Sequence, residues 1–405
     1  PQYLIIKLPP EGLLIRELVI TGLNFINYYA RYRGYNIEIK KIENGYIVCS
    51  SDLERILREV SNAVVSLIKL KENNYIRWPG LHGNDIETLK KSGIVGSIIN
   101  KLETYGELAK NYVENLHKLM NTKFDVRIGN KEIILSTGGN LFAMPQLFKI
   151  EFYENALTYQ KPYRKDLDIR LDDHWLMMIL LGYSISHMKY AGAVSELMTT
   201  HEFSEAHEFI FYLLINVAGL LEKLATEPSI INILQVHILL RKLMIDRYWS
   251  SLSGQYPYLR TLSDEKSLVE SRELLKTLVG SVFPKMRIHR ISYYGRTFTE
   301  ISREDVLIND MFLDFLLKIK DDECIDWLFQ LSKIASYAND PKILNVLVYL
   351  YEAINKAKDP AFVSYYMART ILEDERYGGY RASRCMESVI KGLTGIELHD
   401  KNKAK

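Results

Sequence analysis

An α+β chain is predicted: a small mixed α/β N-terminal domain followed by a mainly helical region ending in a four-helix bundle. Three observations predict it. Residues 1–150 mix hydrophobic periods of two and 3.6, and helical periodicity dominates from Asp172 onward. Roughly the last hundred residues hold four helix-length segments joined by very short connectors, the pattern of antiparallel helix packing. The boundaries that follow are 1–150 for the mixed domain and 151–284 for a helical middle domain. A basic aromatic hairpin takes 285–303, and the bundle and tail take 304–405.

Tyr3–Leu8 reads as a strand stopped by Pro9-Pro10, and Leu13–Tyr32 as an amphipathic helix ending at Arg33-Gly34. Ile37–Lys41 and Tyr46–Cys49 flank Asn44-Gly45, a strong hairpin turn signal. Ser51-Asp52 caps a helix running to about Lys69. After the Pro79-Gly80 break, Asp85 to Met120 reads as largely helical, with Gly93, Gly96 and Gly106 as interruptions. A second hairpin, Phe124–Ile128 with Glu132–Leu135, turns at Gly129-Asn130. The middle helices are Asp172–Tyr190, Glu202–Ala225, Ser229–Trp249 and Asp264–Val279. The bundle helices are Glu304–Ile319, Glu323–Ala338, Pro341–Ala357 and Pro360–Arg376. Asp340-Pro341 and Asp359-Pro360 each set an acidic N-cap before a proline at the first helical position, where no amide hydrogen is needed.

At 405 residues, 47% apolar and 25% charged, the composition is that of a globular protein with ample core. A net charge of +2 leaves no global field, so any polyanion must be held by local patches. Cys49, Cys324 and Cys385 form no Cys-x-x-Cys or Cys/His spacing, which argues against a disulfide framework or structural zinc and for a reducing cytoplasm. The opening Pro-Gln-Tyr-Leu-Ile-Ile-Lys reads as strand rather than signal peptide. The longest apolar run, Phe209 to Leu221, contains Asn216 and is too short to cross a bilayer, so no membrane partner is expected. Richness in Ile, Tyr and Lys resembles thermophilic archaeal proteins.

Catalytic spacings are weak. His201-Glu202 and His207-Glu208 put histidines six apart, about 120° around a helix, where a zinc-protease pair needs four. Asp172-Asp173-His174, with His187 beyond, contains no His-Asp metal pair, and two aspartates there suit a helix start. Neither Thr137-Gly138-Gly139-Asn140 nor Tyr377-Gly378-Gly379-Tyr380 has phosphate-loop spacing. No cofactor, metal or catalytic residue is assigned.

Clusters of cations and rings are the stronger signal. Lys285 to Arg303 holds five Lys/Arg and one acid, interleaved with Tyr293, Tyr294 and Phe298. Guanidiniums pair with phosphates while aromatic faces accept unpaired bases, so Lys285, Arg287, His289, Arg290, Tyr293, Tyr294 and Arg296 are the leading nucleic-acid contacts. Three smaller clusters add Arg376, Arg381 and Arg384, then Lys161 and Arg164, then Arg31 and Arg33. The bland alternatives are a solvated hairpin and helix ends, while Lys161 and Arg164 fall in a proline-broken loop whose side chains are free to meet a ligand.

The stretch Ile134-Leu-Ser-Thr-Gly-Gly-Asn-Leu-Phe-Ala-Met-Pro-Gln-Leu-Phe-Lys149, on through Arg164 and the helices to Arg247, resembles the large subunit of archaeal type I-A CRISPR interference (Cascade) complexes. The likeness covers most of the chain and rests on no diagnostic motif. It implies a non-catalytic subunit of an RNA-guided DNA surveillance complex, with guide RNA, target DNA, sister subunits and a separate nuclease-helicase as partners. In such assemblies base pairing reads sequence while protein reads the flanking motif and holds opened DNA. Two other classes stay open. One is a hydrolase or transferase using His187, His201 or Asp173; the other is a helical scaffold that docks proteins through tyrosine anchors.

Overall fold

The computed structural model describes residues 2–129, 132–149, 168–222, 229–243, 285–294, 297–337, 340–374, 376–377 and 379–395. Mixed α and β elements fill its N-terminal part and helices its C-terminal part, the predicted fold class. Two compact units divide the chain: Pro1–Asn216 with Pro284–Asp305, and Val217–Phe283 with Val306–Lys405. The basic segment is therefore part of the first unit, not a separate hairpin after it.

In the first unit, strands β1 (Gln2–Lys7), β2 (Ile37–Ile42) and β3 (Gly45–Ser50) join β4 (Thr122–Ile128), β5 (Glu132–Ser136), β6 (Phe142–Ala143) and β7 (Asp168–Leu171). The sheet order is β2-β3-β1-β4-β5-β7-β6, with β1–β4 and β5–β7 parallel and the other neighbours antiparallel. The hairpin forms where predicted, but its two turn residues are Glu43 and Asn44: Ile42 pairs with Gly45, which opens β3. A Cβ on Gly45 would stand 1.9 Å from the Ile6 carbonyl oxygen, so only glycine fits beside β1.

Helix α1 (Leu14–Tyr32) is buried from Leu14 through Ala30 except at Arg16. It packs on α5 (Asp173–Ser186), where Gly182 lets the backbones meet: a Cβ there would lie 1.8 Å from the Leu18 carbonyl oxygen. Helix α2 (Leu53–Asn73) lies against α1 and α5 and keeps a polar outer face. The predicted 85–120 helix is broken into α3 (Gly83–Leu89), α4 (Tyr105–Val113) and short turns; Thr104 and Glu107 form a capping box that starts α4 afresh.

A second sheet, β11-β10-β9-β8, pairs β8 (His187–Ala191) and β9 (Val194–Thr200) with β10 (Met286–Tyr294) and β11 (Thr297–Val306). Two helix predictions yield to it. Helix α5 stops at Ser186 because His187 begins ladder pairing with Leu197. The helix expected from Glu304 begins only at Asp310, because β11 continues to Val306 and Asn309 supplies the cap. The boundary between units falls within α6 (Ala206–Glu222), which starts at Ala206 rather than Glu202.

The second unit holds α7 (Ser229–Leu243), α8 (Asp310–Lys318), α9 (Asp322–Tyr337), α10 (Pro341–Ile354) and α11 (Pro360–Leu372). Asp340 and Asp359 accept hydrogen bonds from the first-turn amides, as the Asp-Pro pattern predicts. Helix α12 (Tyr380–Thr394) is an addition that sequence reading missed. It begins after Gly379, ends at left-handed Gly395, and packs on α9 and α11. That packing overturns the cysteine reading: Cys324 on α9 and Cys385 on α12 are joined as a disulfide, with Cα atoms 4.9 Å apart. Linear spacing carries no information about helices brought side by side. Among the described residues, no helix is long and apolar enough to cross a membrane. The Asp264–Val279 prediction lies outside the described residues.

Candidate nucleic-acid interface

The foremost sequence candidates turn inward. Helix α1 carries a polar stripe, Glu17, Thr21 and Asn24, at the four- and three-residue spacings of one helix face. That stripe faces the second sheet: the Thr21 hydroxyl lies 3.1 Å from that of Thr200, and Asn24 donates to Thr200 at 2.9 Å. At its end, the Glu17 carboxylate meets His289 Nε2 at 2.5 Å, accepts from the Thr199 hydroxyl at 2.8 Å, and pairs with the Arg287 guanidinium. His289 Nδ1 reaches Glu300 at 2.7 Å, and Arg303 clasps the same carboxylate at 2.8 Å. Arg287 also bonds Asp305 at 2.6 Å.

Electrostatics follow from this enclosure. Burial pushes the Glu17 carboxyl up, but the adjacent His289 and Arg287 charges and the Thr199 hydroxyl outweigh it and hold it at about 2. Burial alone would lower His289, yet Glu17 and Glu300 raise it above its ordinary value. Burial likewise raises Glu300, and His289 and Arg303 bring it down. The result is a buried network of compensated charges.

As a nucleic-acid contact, His289 is corrected by its burial at 0% exposure and by carboxylates on both ring nitrogens. Arg287 stays largely inside between Glu17 and Asp305, and Arg290 lies against Glu196, its partner across the ladder. The Tyr293 ring stacks on His82 with centroids 4.2 Å apart, so one face is already taken. Lys285 is exposed and pairs with Glu202 at 2.7 Å. Tyr294 lies at the end of β10, while Arg296, Lys161 and Arg164 lie outside the described residues.

The C-terminal cluster is also engaged. Arg376 pairs with Asp374 at 2.7 Å and Asp340 at 3.3 Å, Arg381 donates to the Glu323 carbonyl, and Arg384 bridges Asp321 and Glu323. Arg381 and Arg384 thus tie the start of α12 to α9, beside the disulfide.

Of the alternative catalytic residues, Asp173 and His187 have structural partners. Asp173 accepts from the Ser92 and Tyr112 hydroxyls at 2.6 and 2.7 Å and from the Gly93 amide at 2.8 Å. Asp172 caps α5 through the Trp175 amide and holds Thr137 and Gly139 of the glycine loop. His187 is buried, stacks on Trp78 at 4.2 Å, and donates through Nε2 to the Arg77 carbonyl at 2.8 Å. Burial first and the Lys71 charge second depress His187 to about 3, so it is neutral at neutral pH. His201 is lowered by burial and by Arg287. Lys71 was not singled out by sequence, yet it is fully buried: Nζ donates to the carbonyls of Ser184, Ile185 and His187 at 2.6, 3.1 and 2.6 Å. Burial drives its pKa well below the usual lysine value, while three convergent carbonyls favour the ammonium form. It caps the C-terminal end of α5, where a cation suits the helix dipole. Among the described residues, no three His, Cys, Asp or Glu side chains are placed to hold a metal ion.

One sequence cluster does gather at the surface. Tyr28 and Tyr29 are buried, but Arg31 and Arg33 at the end of α1 are exposed. Arg33 pairs with Glu59 at 2.9 Å, Arg55 of α2 reaches the same carboxylate at 3.3 Å, and Tyr35 donates its hydroxyl to it at 2.6 Å. The Arg55 guanidinium lies 5.5 Å from the Tyr35 ring centre, and Arg58 follows on the next exposed position of α2. Two guanidiniums share one carboxylate, so positive charge is left over toward solvent. Burial would raise the Glu59 carboxyl, but Tyr35, Arg33 and Arg55 lower it. Arg55 and Arg58 escaped sequence reading because Glu54 and Glu59 flank them, making a charge-balanced helix segment in one dimension.

No protein-family model matches this sequence, and no curated protein matches it.

Proposed function

We propose that the chain is a non-catalytic nucleic-acid-binding subunit of a larger assembly, the role implied by its resemblance to the large subunit of type I-A interference complexes. Guide RNA, opened target DNA, sister subunits and a separate nuclease-helicase are the partners of that role, and the cytoplasm is its place. The observation that carries the reading is the outward pairing of Arg33 and Arg55 on Glu59 beside Tyr35, with Arg31 and Arg58 exposed on the same two helices. Such a patch neutralises phosphates with release of counterions. The engagement of Asp173, His187 and His201 in structural hydrogen bonds or burial supports the non-catalytic half.

The test is binding of labelled single-stranded DNA at two salt concentrations, with reconstituted assembly if the isolated chain is inactive. Replacing Arg33, Arg55 and Arg58 together by Ala is expected to weaken binding and flatten the salt slope by roughly 0.7 per lost phosphate contact. An unchanged slope in a folded variant overturns the reading. So does Mg²⁺-dependent cleavage abolished by Asp173→Ala.

A second reading, a protein-docking scaffold, is favoured by α11, whose outer face exposes Phe362, Tyr365 and Leu372. Exposed rings on one helix face are common interface anchors. Loss of assembly in Phe362→Ser/Tyr365→Ser, with unchanged DNA binding, would select it.

A further inference from the structure

Tyr75 is the most exposed large apolar side chain among the described residues, at 91%, and its backbone is left-handed, with φ +61°. It occupies the position after the C-cap of α2. Its amide donates to Glu72 at 2.9 Å and the Ile76 amide to Lys71 at 2.9 Å, the two bonds of a Schellman turn. Glycine or asparagine is the usual occupant there, because a Cβ is disfavoured at positive φ. The turn's two backbone bonds thus hold a bulky ring in a left-handed conformation that gains no burial in return, and such an outlier points to use.

The mount is rigid on both sides. Lys71, one turn back, is fixed by three buried carbonyl contacts, and Arg77, two residues on, receives the His187 hydrogen bond while Trp78 stacks on that same imidazole. The buried Lys71–His187–Trp78 group therefore anchors the turn that presents Tyr75. Around it the exposed side chains are Glu72, Asn73 and Arg77, polar rather than apolar. A protein anchor sits within an apolar patch, whereas a lone ring with exposed polar neighbours in sequence suits an unpaired base. Leading to it, the outer face of α2 exposes Arg55, Arg58, Asn62, Ser66 and Lys69 in helical succession. At 1.5 Å per residue, Arg58 and Tyr75 are roughly 25 Å apart along the helix.

We propose that Tyr75 is a preorganised base-stacking residue, and that a single strand runs along the outer face of α2 from the arginine patch to its ring. This rests on the nucleic-acid reading above. The probe is a fluorescein-labelled oligothymidylate, followed by anisotropy with the full chain or its reconstituted assembly, alongside thermal melting. Tyr75→Gly is expected to raise the melting temperature by removing strain while weakening binding about 5- to 100-fold. Tyr75→Ala should lose affinity without the gain in stability, and Tyr75→Phe should keep affinity. Ala193→Gly, which relieves left-handed strain in the β8–β9 turn, should raise stability and leave binding unchanged. A Tyr75→Gly protein that melts higher and binds like wild type overturns the proposal but not the function. Wild type that binds no strand at all sinks both. Loss of subunit assembly with normal oligothymidylate affinity would overturn the stacking role in favour of protein docking.

Discussion

Two regions of the first unit share a composition and differ in which way they face. In β10 and β11, Arg287, His289 and Arg303 are drawn to Glu17 and Glu300 and enclosed. At the junction of α1 and α2, Arg33, Arg55 and Arg58 share two glutamates and, with Arg31, remain outside. Cations on a buried strand must find counter-charges in the protein, because burying an unpaired charge is prohibitive. Cations on helix ends keep their water and can exchange it for phosphate. The difference teaches that density of positive charge marks a binding surface only where the fold leaves it exposed and in excess of its counter-charges.

Breaking the inner network should have the largest effect. Glu17→Ala leaves His289 and Arg287 without their shared carboxylate and should destabilise the first unit by about 3–5 kcal/mol in chemical denaturation. A loss under 1 kcal/mol would mean the network is hydrated in solution. Next comes pH. His289 is raised from 6.5, so its contribution is complete below that value and fades as pH rises through its folded pKa. Glu17 is lowered from 4.5, so its contribution is complete above 4.5 and fades as pH falls toward about 2. Stability from the network should therefore be greatest between about 4.5 and 6.5, and His289→Gln should remove the alkaline-side slope. A melting profile with no such slope in wild type would refute this assignment. The smallest effect belongs to the outer patch. Arg33, Arg55 and Arg58 to Ala should each change stability by less than about 1 kcal/mol, because exposed ion pairs are weak. A larger loss would place those arginines in the architecture and not at a ligand surface.

Much of the fold was legible in the sequence. The β2–β3 hairpin, turning one residue before the expected Asn44-Gly45, and the two Asp-Pro helix starts depend on local backbone chemistry, and the helix starts stand where predicted. What was not legible depends on distant partners. Nothing near His187 announces that it leaves a helix to pair with Leu197, and nothing near Glu304 announces that β11 continues past it. The inward turn of the basic strands had one available signal, the Glu17, Thr21, Asn24 stripe in a largely apolar helix, matched by Thr199-Thr200 and His289. A polar stripe is usually assigned to solvent, and here a polar sheet face receives it. Arg31 and Arg33 are singled out by sequence, but Arg55 comes beside Arg33 only through the packing of α2.

The Cys324–Cys385 bond closes a covalent ring from α9 through α10 and α11 to α12. A single peptide cut anywhere inside that ring severs the backbone without separating its pieces. A nicked chain would migrate intact on a gel without reductant and fall into two fragments with it, so the helical unit can survive proteolytic injury that would dismantle an open chain.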